Sequence, residues 1–143
     1  MARDRIYRET RLQIGALCWR KDASGSLQIL LITSRDTGRW VTPKGNRMPG
    51  LTDPLSAAEE AFEEAGVRGP VSKVPLGSFH YDKRLTGKAR RSTEVMLYPL
   101  EVQTEFDDWD EAHERTRRWF APVAAAEAVD EPELKALILT FAP

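Results

Sequence analysis

One cysteine, Cys18, and two histidines, His80 and His113, are all that 143 residues hold of either kind. A lone cysteine excludes an internal disulfide, and so few soft ligands exclude the common structural zinc sites. Cys18 lies in an apolar stretch, the usual setting of a buried thiol without chemistry. Long hydrophobic runs are also missing. None approaches the roughly 20 residues of a membrane span, so no membrane partner is expected. The start, MARDRIYRETR, has no apolar core of the kind a secretory signal needs, and a cytoplasmic location is expected. Neither charge dominates: 21 lysines and arginines face 22 aspartates and glutamates, a net charge of −1 that gives no overall pull toward nucleic acid. Ser24, Ser26 and Ser34 stand in no nucleophile-elbow context, which removes a serine triad. Repeats, low-complexity tracts and dividing linkers are absent, and a chain of this length buries roughly two-thirds of its unfolded surface, so one domain is expected.

What is present is punctuation. Residues 11–19 and LQILLITS alternate enough for two strands, and DASGS between them makes a hairpin turn. Trp40 is expected to anchor the core or a loop. Val71 to Leu76 reads as a weak strand and Gly77 to Arg84 as a better one. TEVMLYPLEV is apolar enough for a central strand, although Pro99 requires an edge or a bulge. EFDDWDEAHE is acidic and loop-like, RRWF a short strand, and VAAAEAV and PELKALILTFA two closing helices. Strands around one internal helix with helices at the end make a mixed α/β layered domain.

That internal helix carries the most distinctive pattern in the chain. It should run from Pro54 to Ala65, with Asp53 as its cap and Gly66 as its left-handed stop. A helical wheel places Leu55, Ala58, Ala61, Phe62 and Ala65 on one side and Glu60 and Glu63 opposite, with Glu59 and Glu64 flanking. Like charges one turn apart cost about 0.2–0.5 kcal/mol per pair, so a plain solvated face could tolerate them. The loop before the helix, with Pro43, Lys44, Gly45, Pro49 and Gly50, can bring backbone carbonyls toward the glutamates, and that combination suits a hard cation such as Mg2+ or Mn2+. Carboxylates on one helix face do not suit a glycosidase, whose pair flanks a sugar from opposite sides.

In register, Gly45, Glu60, Glu63, Glu64, Gly66 and Val67 match the Nudix box, Gx5Ex7REUxEExGU, and the chain resembles the Nudix hydrolases over it. Leu51 stands where the box has its first glutamate and Glu59 where it has an arginine. The family's arginine holds the acidic cluster in place, a task Glu59 cannot perform unless another cation substitutes. Short blocks outside the box, ALCWR, SRDTGRW and EFDDWDEAHERTRRWF, resemble the diphosphoinositol polyphosphate phosphohydrolases, which also act on diadenosine polyphosphates.

The resemblance implies a Nudix α/β/α sandwich with a mixed sheet, a single Nudix domain over residues 1–143 with its core at about 11–141. It implies divalent-metal-dependent hydrolysis of a phosphoanhydride bond in a nucleoside-diphosphate-linked, dinucleoside polyphosphate or diphosphoinositol polyphosphate substrate. Glu60 and Glu64 are the expected metal ligands, helped by a carbonyl of Lys44 or Gly45, with Glu63 as general base or further ligand; Glu60 and Glu63 can exchange roles. A carboxylate from outside the box is expected from Glu111 or Glu105. Arg11, Arg35, Lys44, Lys83, Arg84, Lys88, Arg90 and Arg91 are the candidate phosphate contacts, and the loop from Lys88 to Arg91 concentrates three of them. That loop lacks the interleaved aromatics of a single-strand binder, so nucleic acid is not the expected partner. A monomer or homodimer is expected. The alternative to the enzyme is a binding module of the same fold that senses a nucleotide or phosphate ligand without turning it over.

Overall fold

A computed structural model describes residues 7–85, 87 and 89–143. Strand β1 (Tyr7–Lys21) turns through Asp22, whose carboxylate accepts the Ser24 and Ser26 amides at 2.9 and 3.0 Å, into antiparallel β2 (Leu27–Thr33). This is the hairpin expected from the sequence. Short strands β3 (Trp40–Val41) and β4 (Lys44–Gly45) follow, pairing with β2 and β1 respectively. Helix α1 (Asp53–Ala65) and β5 (Val67–Arg68) come next, then β6 (Gly77–Arg84) and β7 (Arg90–Glu101), which form an antiparallel pair. The chain closes with β8 (Thr104–Glu105), β9 (Arg117–Phe120), α2 (Pro122–Ala128) and α3 (Pro132–Thr140).

The main sheet runs β3-β2-β1-β7-β6, with β4 added to β1 and β9 to β2. Its one parallel pair, β1 with β7, lies at the centre and is covered on both faces, as parallel strands require. A period of two along each strand divides the core. Ile14, Ala16, Cys18, Leu30, Ile32, Tyr98 and Leu100 meet Ala57, Ala61 and Ala65 of α1 on one face. Leu17, Ile29, Leu31, Phe79, Val95 and Leu97 meet Ala125, Ala126, Leu134 and Ile138 of α2 and α3 on the other. The alanine face of α1 allows the helix to lie close to the sheet. The layers are those of an α/β/α sandwich.

Pro99 meets its requirement locally. Its carbonyl accepts the Ser72 amide at 2.8 Å, on the side where β6 has already ended, so the missing imide N–H interrupts no ladder. Three expectations need correction. Residues 71–76 form no strand, only a bridge between Val71 and Leu100. Pro70 and Pro75 remove donors there, and the Ser72 hydroxyl donates to the Val74 carbonyl at 2.9 Å, a local turn that replaces pairing. The helix cap is Thr52, whose hydroxyl accepts the Leu55 amide at 3.3 Å, and Asp53 is instead the first helical residue, paired with Arg47 at 3.0 Å. The helix is also rotated from the expected wheel: Leu55 is 49 % exposed while Ser56, Ala57 and Glu64 are buried.

Candidate functional site

Pairing with β1 fixes β4 so that Lys44 lies opposite Gly15 and Gly45 opposite Ile14, while the Pro43 carbonyl accepts the Ala16 amide at 3.0 Å. The loop to α1 is closed by Arg47 with Asp53 and by the Met48 amide, which donates to the buried Ser56 hydroxyl at 3.1 Å. Gly50, at φ 82°, takes the left-handed conformation that this bend needs. The result is that α1 lays its glutamates directly on β4. The Glu60 carboxylate fills the space a side chain at residue 45 would need, so Gly45 is there for close approach rather than for a turn.

Glu64 is the rotated, inward residue. Its Oε1 accepts the Lys44 backbone amide at 3.2 Å, and its Oε2 lies 3.6 Å from Nη2 of Arg115. Burial alone raises its affinity for a proton; the Arg115 guanidinium and the Lys44 amide oppose that. The Glu60 carboxyl is pushed up to about 8, first by burial and then by the nearby carboxylates of Glu64, Glu63 and Glu111. Glu63 is less enclosed, and its carboxyl is raised by burial and by Asp110, Glu59 and Glu111.

A cavity of about 200 Å3 opens beside Glu64, lined by Gln13, Arg35, Lys44, Tyr81, Lys83 and Arg115 among others. It adjoins a second of about 230 Å3 that shares Lys44, Tyr81 and Lys83 and reaches Thr37 and Arg39. The Lys44 ammonium stands 5.0 Å above the Tyr81 ring and is held down to about 8 by burial, against the pull of Glu64. The Tyr81 hydroxyl donates to Gln13 at 2.9 Å, and burial pushes its own ionisation up to about 12. A larger cavity, about 410 Å3, lies by Trp19, Pro99 and Phe141, remote from this carboxylate cluster.

Of the residues expected from the sequence, Lys44, Gly45, Glu60 and Glu64 come together, while Glu63 lines neither cavity. Arg35 and Lys83 line the cavity. Arg91 is the cross-strand neighbour of Lys83, and Arg90 of Arg84, while Arg11 pairs with Thr93 at the β1–β7 seam; none of these three lines either cavity beside Glu64. Lys88 and the Arg84 side chain lie outside the described residues. The two outside carboxylates have different partners. Glu105 in β8 is engaged by Arg20 at 2.9 Å and the Trp119 indole at 3.0 Å, whereas Glu111 accepts Nε of Arg115 at 2.7 Å and its amide donates to the Glu63 carbonyl at 3.2 Å.

The sequence reading missed Arg115, Trp109 and Arg117. Trp109 packs over Gly66 and donates its indole N–H to the Glu64 carbonyl at 3.0 Å; Arg117 donates to the Ala65 carbonyl at 2.8 Å and stacks on the Trp109 ring. Together they cap the C-terminal end of α1, where cations and donors are favoured. The alternation of Arg115 and Arg117 into the start of β9 was the available signal.

Among the described residues no three His, Cys, Asp or Glu side chains stand ready to hold a metal ion together. The donor set nevertheless fits a hard divalent cation. Glu60 and Glu64 offer only oxygen, the donor that hard divalent cations take.

The NUDIX domain model matches residues 11–141. The chain is 34 % identical over 113 residues to Nudix hydrolase 16, mitochondrial, of Arabidopsis thaliana, covering 76 % of this chain and 62 % of the relative. It is 31 % identical over 106 residues to diphosphoinositol polyphosphate phosphohydrolase 3-beta of Bos taurus, covering 73 % and 60 %. The chain thus spans about three-fifths of the length of these relatives. A solved Ap4A hydrolase from C. elegans, in a binary complex, superposes with a TM-score of 0.65 at 21 % identity over 90 % of this chain and 93 % of its own. No helix among the described residues is long and apolar enough to cross a membrane.

Proposed function

This chain belongs to the Nudix family, and from that premise we propose that it is a pyrophosphohydrolase that uses a divalent cation to cleave a phosphoanhydride bond of a dinucleoside polyphosphate, a diphosphoinositol polyphosphate or another nucleoside-diphosphate-linked substrate. The observation that carries the reading is the Glu60 carboxylate set against Gly45, one helical turn from Glu64, which lines a cavity together with Arg35, Lys44, Lys83 and Arg115.

Glu60 and Glu64 would hold Mg2+ or Mn2+, with a carbonyl of Lys44 or Gly45. When bound, such an ion neutralises phosphate oxygens and makes water more acidic. The side chains supply the rest. Lys44, Lys83 and Arg35 attract the polyphosphate and orient it by charge, the guanidinium through paired N–H groups. Water then attacks one phosphorus atom, the anhydride P–O bond breaks, and the second phosphate leaves with the bridging oxygen. Glu63, the less enclosed of the box carboxylates, would take the proton of that water.

A binding module without turnover is the second reading. It is favoured by Leu51, 39 % exposed at a box position that carries a glutamate in the pattern. A panel of diadenosine polyphosphates, inositol pyrophosphates, ADP-ribose and nucleoside triphosphates with Mg2+ or Mn2+ separates the two. The enzyme reading expects phosphate release that EDTA abolishes and that Glu60→Gln lowers by about two orders of magnitude or more, as for loss of a group that stabilises the transition state. Binding without release across the whole panel would establish the sensor instead.

A further inference from the structure

Glu59 stands where the box has its arginine, and it is engaged away from the cavity: Nη1 of Arg68 donates to its Oε1 at 2.8 Å, and the same guanidinium lies 3.8 Å over the Phe62 ring. Positive charge for the remaining carboxylates must come from outside the helix. Arg115 supplies it. Its Nη2 lies 3.6 Å from Glu64 Oε2, its Nε donates to Glu111 Oε1 at 2.7 Å, and its Nη1 donates to the Thr33 carbonyl at 3.0 Å. With a side chain only 8 % exposed, these three partners fix the planar fork. Its segment is itself tied to α1, by the Trp109 indole on the Glu64 carbonyl and the Glu111 amide on the Glu63 carbonyl.

We propose that Arg115 is a positioning residue that takes over, from the segment preceding β9, the task of the arginine missing at position 59, and that it brings Glu111 into the cation site by holding it beside Glu64. This rests on reading Glu60 and Glu64 as that site. One guanidinium reaching both carboxylates places box and outside residue in a single rigid unit, which a cation on the helix itself could not do.

Mn2+ alone is the probe, titrated into the full chain and followed by the free-ion EPR signal, with thermal melts to confirm folding. Removing a nearby positive charge should by itself tighten binding of a divalent cation, so the direction of the change discriminates. Arg115→Gln is expected to weaken Mn2+ binding by about tenfold or more, as loss of an orienting partner does. Arg115→Lys, which keeps the charge and loses the fork, is expected to weaken it less. In a Glu111→Gln background the Arg115→Gln effect should shrink to about threefold or under, because the positioned carboxylate is already gone. Unchanged or tighter binding in folded Arg115→Gln overturns the proposal, and so does unchanged binding in Arg115→Lys if the glutamine variant does not fold. Wild-type protein that binds no Mn2+ overturns the cation reading, and this inference with it.

Discussion

Two arginine–glutamate pairs sit at opposite sides of one helix. Arg68 with Glu59 and Arg115 with Glu64 are chemically the same, yet the side chains of the first are 41 and 36 % exposed and those of the second 8 and 11 %. Water screens the first and can replace either partner, so it contributes under about 1 kcal/mol. The second has no such substitute. Burying those charges costs free energy that their mutual contact, the Glu111 carboxylate, the Lys44 amide and the Thr33 carbonyl offset, and removing one partner exposes the cost. Exposure, rather than residue type, decides which pair is structural decoration and which shapes the site.

The largest effect that sharpens this comparison is on stability. Arg115→Ala should cost about 3–5 kcal/mol in chemical denaturation, because Glu64, Glu111 and the Thr33 carbonyl lose the guanidinium they share. A loss under about 1 kcal/mol would put the buried pair in the same class as the exposed one.

Gly45→Ala should act on function with little effect on folding. The atoms its Cβ would meet are the mobile end of Glu60, which can swing away at small cost, so the melt should shift little while Mn2+ affinity falls by about tenfold or more. Equal affinity in this variant would mean that Glu60 does not need its present place.

The pH dependence is a smaller effect with a definite sign. The Glu60 carboxyl is raised to about 8 from an ordinary value near 4.5, so the folded protein holds this proton more tightly than the unfolded chain does. Its contribution to stability is therefore complete below about pH 4.5 and is lost as pH rises through about 8. The metal-free melting temperature of wild type should fall across that window more than that of Glu60→Gln; the reverse order would contradict the crowding of the two carboxylates. Smallest of all, Arg68→Ala should change stability by under about 1 kcal/mol and leave Mn2+ affinity alone. A marked loss of affinity would show that the exposed pair also steadies the site.

Much of this was legible in the sequence where the cause is local. The hairpin turn at Asp22–Ser26, the stop at Gly66 and the two closing helices follow from caps, turn residues and prolines within a few positions. The meeting of Gly45, Glu60 and Glu64 was legible because a short strand and the following helix carry them together. The rotation of α1 was not legible. Alanines at 57, 58, 61 and 65 surround much of the helix, so the pattern defines no single apolar face, and what draws Glu64 inward is Arg115, far along the chain. Glu111 and Glu105 looked equivalent for the same reason: both belong to the acidic stretch, and only tertiary partners distinguish them. The extended reading of residues 71–76 failed because a serine side chain can supply the bonds a strand would have made.

The central claim is that Glu60 and Glu64 against Gly45 form a divalent-cation site, and Mn2+ titration of wild type, Glu60→Gln and Glu64→Gln, read by EPR, tests it most directly. The account predicts saturable binding by wild type that is lost in both folded variants. Equal binding by all three, or none by wild type, would contradict it.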